Sequence, residues 1–169
     1  MAEGRFLDDY SRELVAIGEK AFRRVYVAPM LIVSGRADRK EPRGTSENTA
    51  VDLPAQHGLI NRVFPLVKAM HTPMGPVVVG RLEGGDVDVV IPDASISKRH
   101  CAFATQRGAA AVTDFGSRNG TAVNGTPVEA SASVNLAGGE TLTIGGLEMK
   151  FETASGFAEL IGSLSSTDD

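Results

Sequence analysis

Three short polar groups in this chain have side chains suited to holding an anion. Gly80-Arg81 closes a run of three valines, Val77-Val78-Val79. Ser97-Lys98-Arg99-His100 stands just before the next β-rich stretch, and Ser117-Arg118-Asn119-Gly120-Thr121 lies in a turn between two more. Together they supply guanidinium, hydroxyl, ammonium and amide donors, a set that grips an anion without a metal. A phosphoryl group brings a charge of about −1.5 to −2 and three acceptor oxygens. Arginine meets it with paired, charge-assisted hydrogen bonds. Lys98 and Arg99 are adjacent and point to opposite faces of an extended chain, so one of them faces the ligand, and Lys98 is assigned that place.

Other chemistries fit less well. Ser97 beside His100 invites a nucleophile and base, but the strand–elbow–helix context of a Gly-x-Ser-x-Gly motif is missing. No acid is placed to orient the base. His57, His71 and His100 are scattered without metal-ligand spacing, so neither metal nor cofactor is expected. Cys101 is the single cysteine, which forbids an internal disulfide and reads as a small core residue. The expected activity is binding, not catalysis. As ordinary structure, Arg81 would be a surface residue, Ser97 a strand start, and Asn119 and Asn124 turn residues; for Asn124 the turn reading is adopted.

These groups need rigid elements to bring them together. Short β-rich runs recur from residue 59 onward: Val63-Phe64-Pro65-Leu66-Val67, Val77-Val78-Val79-Gly80-Arg81, Val87-Asp88-Val89-Val90-Ile91, then residues 100–105, 111–115, 141–144 and 147–151. Asn119-Gly120 and Asn124-Gly125 are tight-turn signals, because both residue types tolerate positive φ. Many short strands with little helix indicate a mainly β, antiparallel sandwich or barrel. Loops at one end of a sandwich converge in space.

On either side of this zone the pattern changes. Phe6, Tyr10, Leu14, Ile17, Ala21 and Val25 recur at helical spacing, with Gly18 weakening the helix by roughly 1 kcal/mol. Val25-Tyr26-Val27 and Met30-Leu31-Ile32-Val33 follow as extended candidates around Pro29. Residues 34–57 carry Gly35, Pro42, Gly44 and Pro54 without periodicity and read as a flexible linker. Phe157, Leu160, Ile161 and Leu164 predict a short C-terminal helix with Ser155 at its cap. The expected division is therefore residues 1–33, helical and extended; 34–57, linker; 58–153, β domain; 154–169, short helix and polar tail.

The 169 residues carry 42% hydrophobic residues, enough for a core, and 5% aromatics, so that core rests on aliphatic side chains. The formal net charge is −4, which argues against nucleic acid as the main partner. The longest apolar run spans residues 25–33 with Pro29 inside it, too short for a bilayer. The N-terminal stretch has no apolar signal core. The expectation is a soluble, cytoplasmic protein.

Gly80-Arg81, Ser97-x-x-His100, Asn119-Gly120-Thr121 and Asn124-Gly125 stand in the order and spacing of forkhead-associated (FHA) domains, and residues 59–153 resemble that family. Asp93-Ala94-Ser95-Ile96-Ser97, Asp114-Phe115-Gly116-Ser117-Arg118-Asn119-Gly120-Thr121 and Leu136-x-x-Gly139-Glu140-x-Leu142-x-Ile144-Gly145 are similar too, with Glu140 where aspartate is more usual. The resemblance implies an eleven-stranded antiparallel β-sandwich (FHA/SMAD-like) that reads phosphothreonine with loops at one end. By position, Arg81 and Ser97 match the main phosphate contacts. Lys98 and Arg118 match further phosphate or peptide contacts, and Asn119 matches the residue that bonds the peptide backbone. Gly80, His100, Gly120, Thr121, Asn124 and Gly125 match supporting positions, with His100 bracing the Ser97 loop.

The resemblance thus implies a phosphothreonine-dependent adaptor whose partner is a Ser/Thr kinase or its substrate. Thr49, followed three residues later by Asp52, is a candidate for phosphorylation and self-binding. The competing reading is a phosphate-independent scaffold in which the sandwich and the N-terminal helix mediate assembly.

Overall fold

The computed structural model describes residues 4–37, 58–106 and 109–166. In chain order its strands are β1 (Arg5–Phe6), β2 (Met30–Arg36), β3 (Arg62–Pro65), β4 (Val77–Gly80), β5 (Val89–Val90) and β6 (Cys101–Gln106). They continue with β7 (Ala109–Asp114), β8 (Thr121–Val123), β9 (Thr126–Pro127), β10 (Ser133–Leu136), β11 (Thr141–Ile144) and β12 (Leu147–Glu152). The helices are α1 (Leu7–Ile17), α2 (Glu19–Val25) and α3 (Ala154–Ser165). One sheet has the order β1-β3-β2-β12-β11-β8-β9 and the other β10-β7-β6-β4-β5.

The period-2 pattern explains the main core. Val77 and Val79 of β4, Cys101 and Phe103 of β6, and Val112 of β7 face inward from one sheet. Leu142, Ile144, Leu147, Met149 and Phe151 meet them from the other. Phe103 and Phe151 stack across the gap, with ring centroids 6.4 Å apart. Burying each such side chain contributes roughly 1.5–3 kcal/mol. Burial pushes the Cys101 thiol well above its ordinary value, as expected of a core residue.

Strand β2 is apolar on both faces. Leu31 and Val33 enter the sandwich core, while Met30 and Ile32 point the other way. A helical layer covers that second face: Tyr10 of α1, Phe22 of α2, and Phe157, Ala158 and Ile161 of α3. Tyr10 meets Phe157 and Tyr26 edge-on, at 5.1 and 5.2 Å between centroids. Burial raises its phenol to about 12. Arg5, Tyr26 and Glu13 lock the outside of this layer, with Tyr26 Oη donating to Glu13 at 2.7 Å and Arg5 pairing with Glu13 at 2.8 Å.

Several expectations change. The described residues hold twelve strands, not eleven, and β4 and β5 run parallel, so the sandwich is not wholly antiparallel. The expected linker at 34–57 starts too early: Ser34, Gly35 and Arg36 continue β2, where hydrogen bonding to β12 overrides their weak apolar pattern. The rest of that linker from residue 38, including Thr49, lies outside the described residues. Strands β1 and β2 belong to the seven-stranded sheet, so the β domain draws on chain before residue 58. The N-terminal helix breaks at Gly18 (φ +80°). The turn shifts the buried register to Phe22 and leaves Ile17 and Val25 exposed. Val25 ends α2 and is not extended. The cap of α3 is Thr153, whose side chain accepts from Gly156 N–H, rather than Ser155.

Candidate functional site

Four loops meet at one end of the sandwich. Gly80 ends β4 where the backbone passes close to the Ser97 loop: a Cβ on Gly80 would sit 2.1 Å from the Lys98 carbonyl oxygen. That approach lets Arg81 N–H donate to Ser97 O at 3.0 Å. Ile91 N–H donates to Gly80 O at 2.9 Å, and His100 N–H to Val79 O at 2.9 Å. Arg81 is therefore held beside Ser97 by backbone bonds. Its Nε is buried and has no hydrogen-bond partner among the described residues. A buried guanidinium donor without an acceptor is costly unless a ligand supplies one.

His100 is fully buried and its two ring nitrogens bridge two loops. Ser97 N–H donates to Nδ1 at 3.0 Å, and Nε2 lies 3.0 Å from Gly120 O. An N–H can only donate and a carbonyl only accept, so the ring is neutral with its proton on Nε2. Burial pushes its pKa below the ordinary value, outweighing the Gly120 bond and the nearby Asp114 carboxylate. With Nδ1 taken by the Ser97 backbone, His100 braces the loop and is not a base toward Ser97 Oγ, which instead accepts from Arg118 N–H at 3.1 Å.

Asp114 organises the loop after β7. Its carboxylate accepts from Ser117 N–H (2.8 Å), Ser117 Oγ (2.6 Å) and Thr121 Oγ1 (2.6 Å). Burial opposes the charge, but these bonds prevail and hold the group below the usual carboxylate range. Ser117 Oγ in turn accepts from Gly120 N–H at 3.0 Å. The loop so formed exposes Arg118 and Asn119, and Asn119 Nδ2 donates to Ser95 O at 2.8 Å. The β11–β12 turn closes the group, with Gly145 N–H donating to Gly120 O at 3.0 Å.

The structure thus brings Arg81, Ser97, Lys98, Arg118 and Asn119 to one end, with Gly80, His100, Gly120 and Thr121 behind them. Lys98 is exposed and in no ion pair among the described residues. Arg99 is committed elsewhere: its Nε donates to Asp86 at 2.9 Å and its guanidinium lies 3.6 Å from the Phe115 ring centroid. Asn124 and Gly125 do not join the site. They form the β8–β9 turn at the far end of β8, where Asn124 Oδ1 accepts from Thr141 N–H at 2.9 Å. Only there do both residues of an Asn-Gly pair take positive φ, +49° and +82°.

Sequence reasoning assigned no individual role to Asp93, Ser95 or Asp114, and placed Ser117 only within a donor-bearing turn. The signal available was the Asp-x-Ser and Asp-x-x-Ser spacing of side chains that cap their own loops. A groove of about 320 Å3 lies on the outer face of the five-stranded sheet, against Val78, Ala102 and Ala104. Its two cations, Lys68 and Arg99, are already paired with Asp88 and Asp86.

Residues 77–145 match the FHA domain family, a span that includes every residue of the loop site. Over these residues the chain is similar to FHA domains. The chain is 38% identical over 68 residues to the glycogen accumulation regulator GarA of Mycolicibacterium smegmatis, a match covering 40% of this chain and 41% of GarA. It is 33% identical over 75 residues to an FHA domain-containing protein of Arabidopsis thaliana, covering 44% of this chain and 19% of that protein. The matched region thus spans less than half the length of these curated relatives. The FHA domain of the CT664 protein from Chlamydia trachomatis has a similar fold, with a TM-score of 0.50 and 19% identity over 74% of this chain and 96% of that one. No helix among the described residues is long and apolar enough to cross a membrane, and no group of His, Cys, Asp and Glu side chains there is arranged to hold a metal ion.

Proposed function

We propose that this chain is a phosphothreonine-binding adaptor in Ser/Thr kinase signalling, with a phosphorylated kinase or kinase substrate as its partner. The observation that carries the reading is the backbone bond fixing Arg81 beside Ser97, with the Arg81 Nε buried and unpartnered. Phosphate oxygens satisfy that donor. Ser97 Oγ, the Lys98 ammonium and the Arg118 guanidinium supply further donors around them. Asn119 keeps a second amide N–H and its carbonyl for an extended peptide backbone. The proposal is a binding module, not an enzyme: His100 braces Ser97 through the backbone, which leaves the hydroxyl without a base.

The test is titration of a labelled phosphothreonine peptide library into the full chain, with unphosphorylated, phosphoserine and Arg81→Ala controls. Loss of one charge-assisted contact of roughly 1.5–3 kcal/mol weakens binding about tenfold to a hundredfold. Binding that needs both the phosphate and Arg81 is expected. A folded protein that binds phosphorylated and unphosphorylated peptides alike would point to the phosphate-independent scaffold instead.

A further inference from the structure

The family match begins at residue 77, yet the loop that carries Ser97 is held from behind by β2. Arg36, near the end of β2, pairs through Nη2 with one oxygen of Asp93. Asp93 is buried, its side chain 6% exposed. Its other oxygen accepts both Ser95 N–H, at 2.9 Å, and Ser95 Oγ–H. Ser95 Oγ accepts Gly146 N–H at 2.8 Å, and Ala37 N–H donates to Gly146 O at 3.0 Å. Ser95 O accepts the side-chain amide of Asn119 at 2.8 Å. One continuous run of polar contacts therefore leads from Arg36 through Asp93 and Ser95 to Asn119.

We infer that Arg36 is a positioning residue for the phosphopeptide site, fixing Asp93 and, through Ser95, the amide of Asn119. This rests on the phosphothreonine-binding reading above. The physical need is plain. A buried carboxylate that receives both Ser95 donors on one oxygen leaves a second oxygen and a full charge to be compensated. Arg36 does both. Without it Asp93 turns toward water or takes up a proton, and Ser95 loses the group that orients it. The neighbouring glycines leave Ser95 little room in its present place: a Cβ on Gly145 would lie 2.5 Å from Ser95 O. Asn119 then loses the acceptor that sets its side-chain direction. It follows that β2 belongs to the binding unit, although it lies outside the segment matched to the family.

The experiment uses the full chain carrying Arg36→Ala, Arg36→Gln or Arg36→Lys, with Ser34→Ala as a control on the same strand. Ser34 Oγ bonds to Glu148 and does not touch the relay. Affinity for a labelled phosphothreonine peptide is measured beside the Asn119 side-chain amide resonance in proton–nitrogen NMR spectra. Arg36→Ala and Arg36→Gln are expected to weaken the peptide roughly three- to tenfold, since the ion pair is partly exposed and its effect reaches Asn119 indirectly. Both are expected to move the Asn119 resonance. Arg36→Lys restores most of both, because an ammonium can still pair with Asp93, and Ser34→Ala changes neither. An unmoved Asn119 resonance in folded Arg36→Ala or Arg36→Gln overturns the inference, as does failure of both variants to fold. If wild type binds no phosphothreonine peptide, the functional reading fails on its own, while the Asn119 resonance still decides whether Arg36 positions it.

Discussion

Replacing Gly80 by alanine tests the geometry that joins Arg81 to Ser97. The new Cβ would lie 2.1 Å from the Lys98 carbonyl oxygen and 3.1 Å from a Val87 methyl. The first contact is with backbone, so no side-chain rotation relieves it. To reach even 3.0 Å the Lys98 segment must retreat by about 1 Å, which stretches the 3.0 Å bond from Arg81 N–H to Ser97 O beyond hydrogen-bonding range. Overpacking of this kind costs about 1–3 kcal/mol, and the lost bond adds about 1 kcal/mol. The expected outcome is a destabilisation of about 2–4 kcal/mol in urea melts. Phosphothreonine-peptide affinity is expected to fall about tenfold or more under conditions where the variant is still folded. A Gly80→Ala protein with wild-type melting and affinity would refute the claim that this close approach sets the site.

Three further outcomes follow from the same structure. Because burial depresses the His100 pKa, the unfolded chain binds a proton near pH 6.5 that the folded chain takes up only at lower pH. Stability is then full above about pH 6.5 and falls as pH drops below it, so urea midpoints at about pH 7.5 and pH 5.5 are expected to differ more in wild type than in His100→Gln; equal differences would refute the assignment. Lys98→Ala is expected to weaken phosphothreonine-peptide binding several-fold, most at low salt, while Arg99→Ala leaves it nearly unchanged, because Arg99 is engaged by Asp86 and Phe115; a reversed order in salt-dependent titrations would exchange their roles. Phe157→Ala opens a cavity between α3 and the outer face of β2 and is expected to cost about 3–5 kcal/mol in urea melts; a loss under about 1 kcal/mol would mean that the helical layer does not support the sheet.

What could be read in the sequence was set by local chemistry. Short apolar-rich runs marked β4, β6, β7, β11 and β12; β7 and β11 bury alternate residues, whereas all four residues of β4 are buried. The donor-rich loops at Arg81, Ser97 and Asn119 announced themselves by residue type. The short strands β8, β9 and β10 did not: Thr121–Val123 and Thr126–Pro127 are too brief to show a period. Strands β8 and β9 exist because β11 and a tight Asn124-Gly125 turn hold them, and β10 because it pairs with β7. The end of β2 escaped for a related reason. Ser34, Gly35 and Arg36 look like loop residues, and only pairing with Leu147 and Glu148 across a bulge makes them strand.

The same reasoning explains why the support of the site was harder to see than its donors. A residue that touches a ligand betrays itself by what it can donate. A residue that holds another in place depends on a partner distant in sequence, and its own type is ordinary. His100 is intermediate: its motif position suggested a brace, but its tautomer follows only from finding Ser97 N–H on one nitrogen and Gly120 O near the other. Arg36 and Asp93, 57 positions apart, are the extreme case. Neither has a local signal pointing to the other, yet their pairing decides which way Ser95 and Asn119 face. The specificity of such a loop site therefore depends on the strands behind it as much as on the donors it displays.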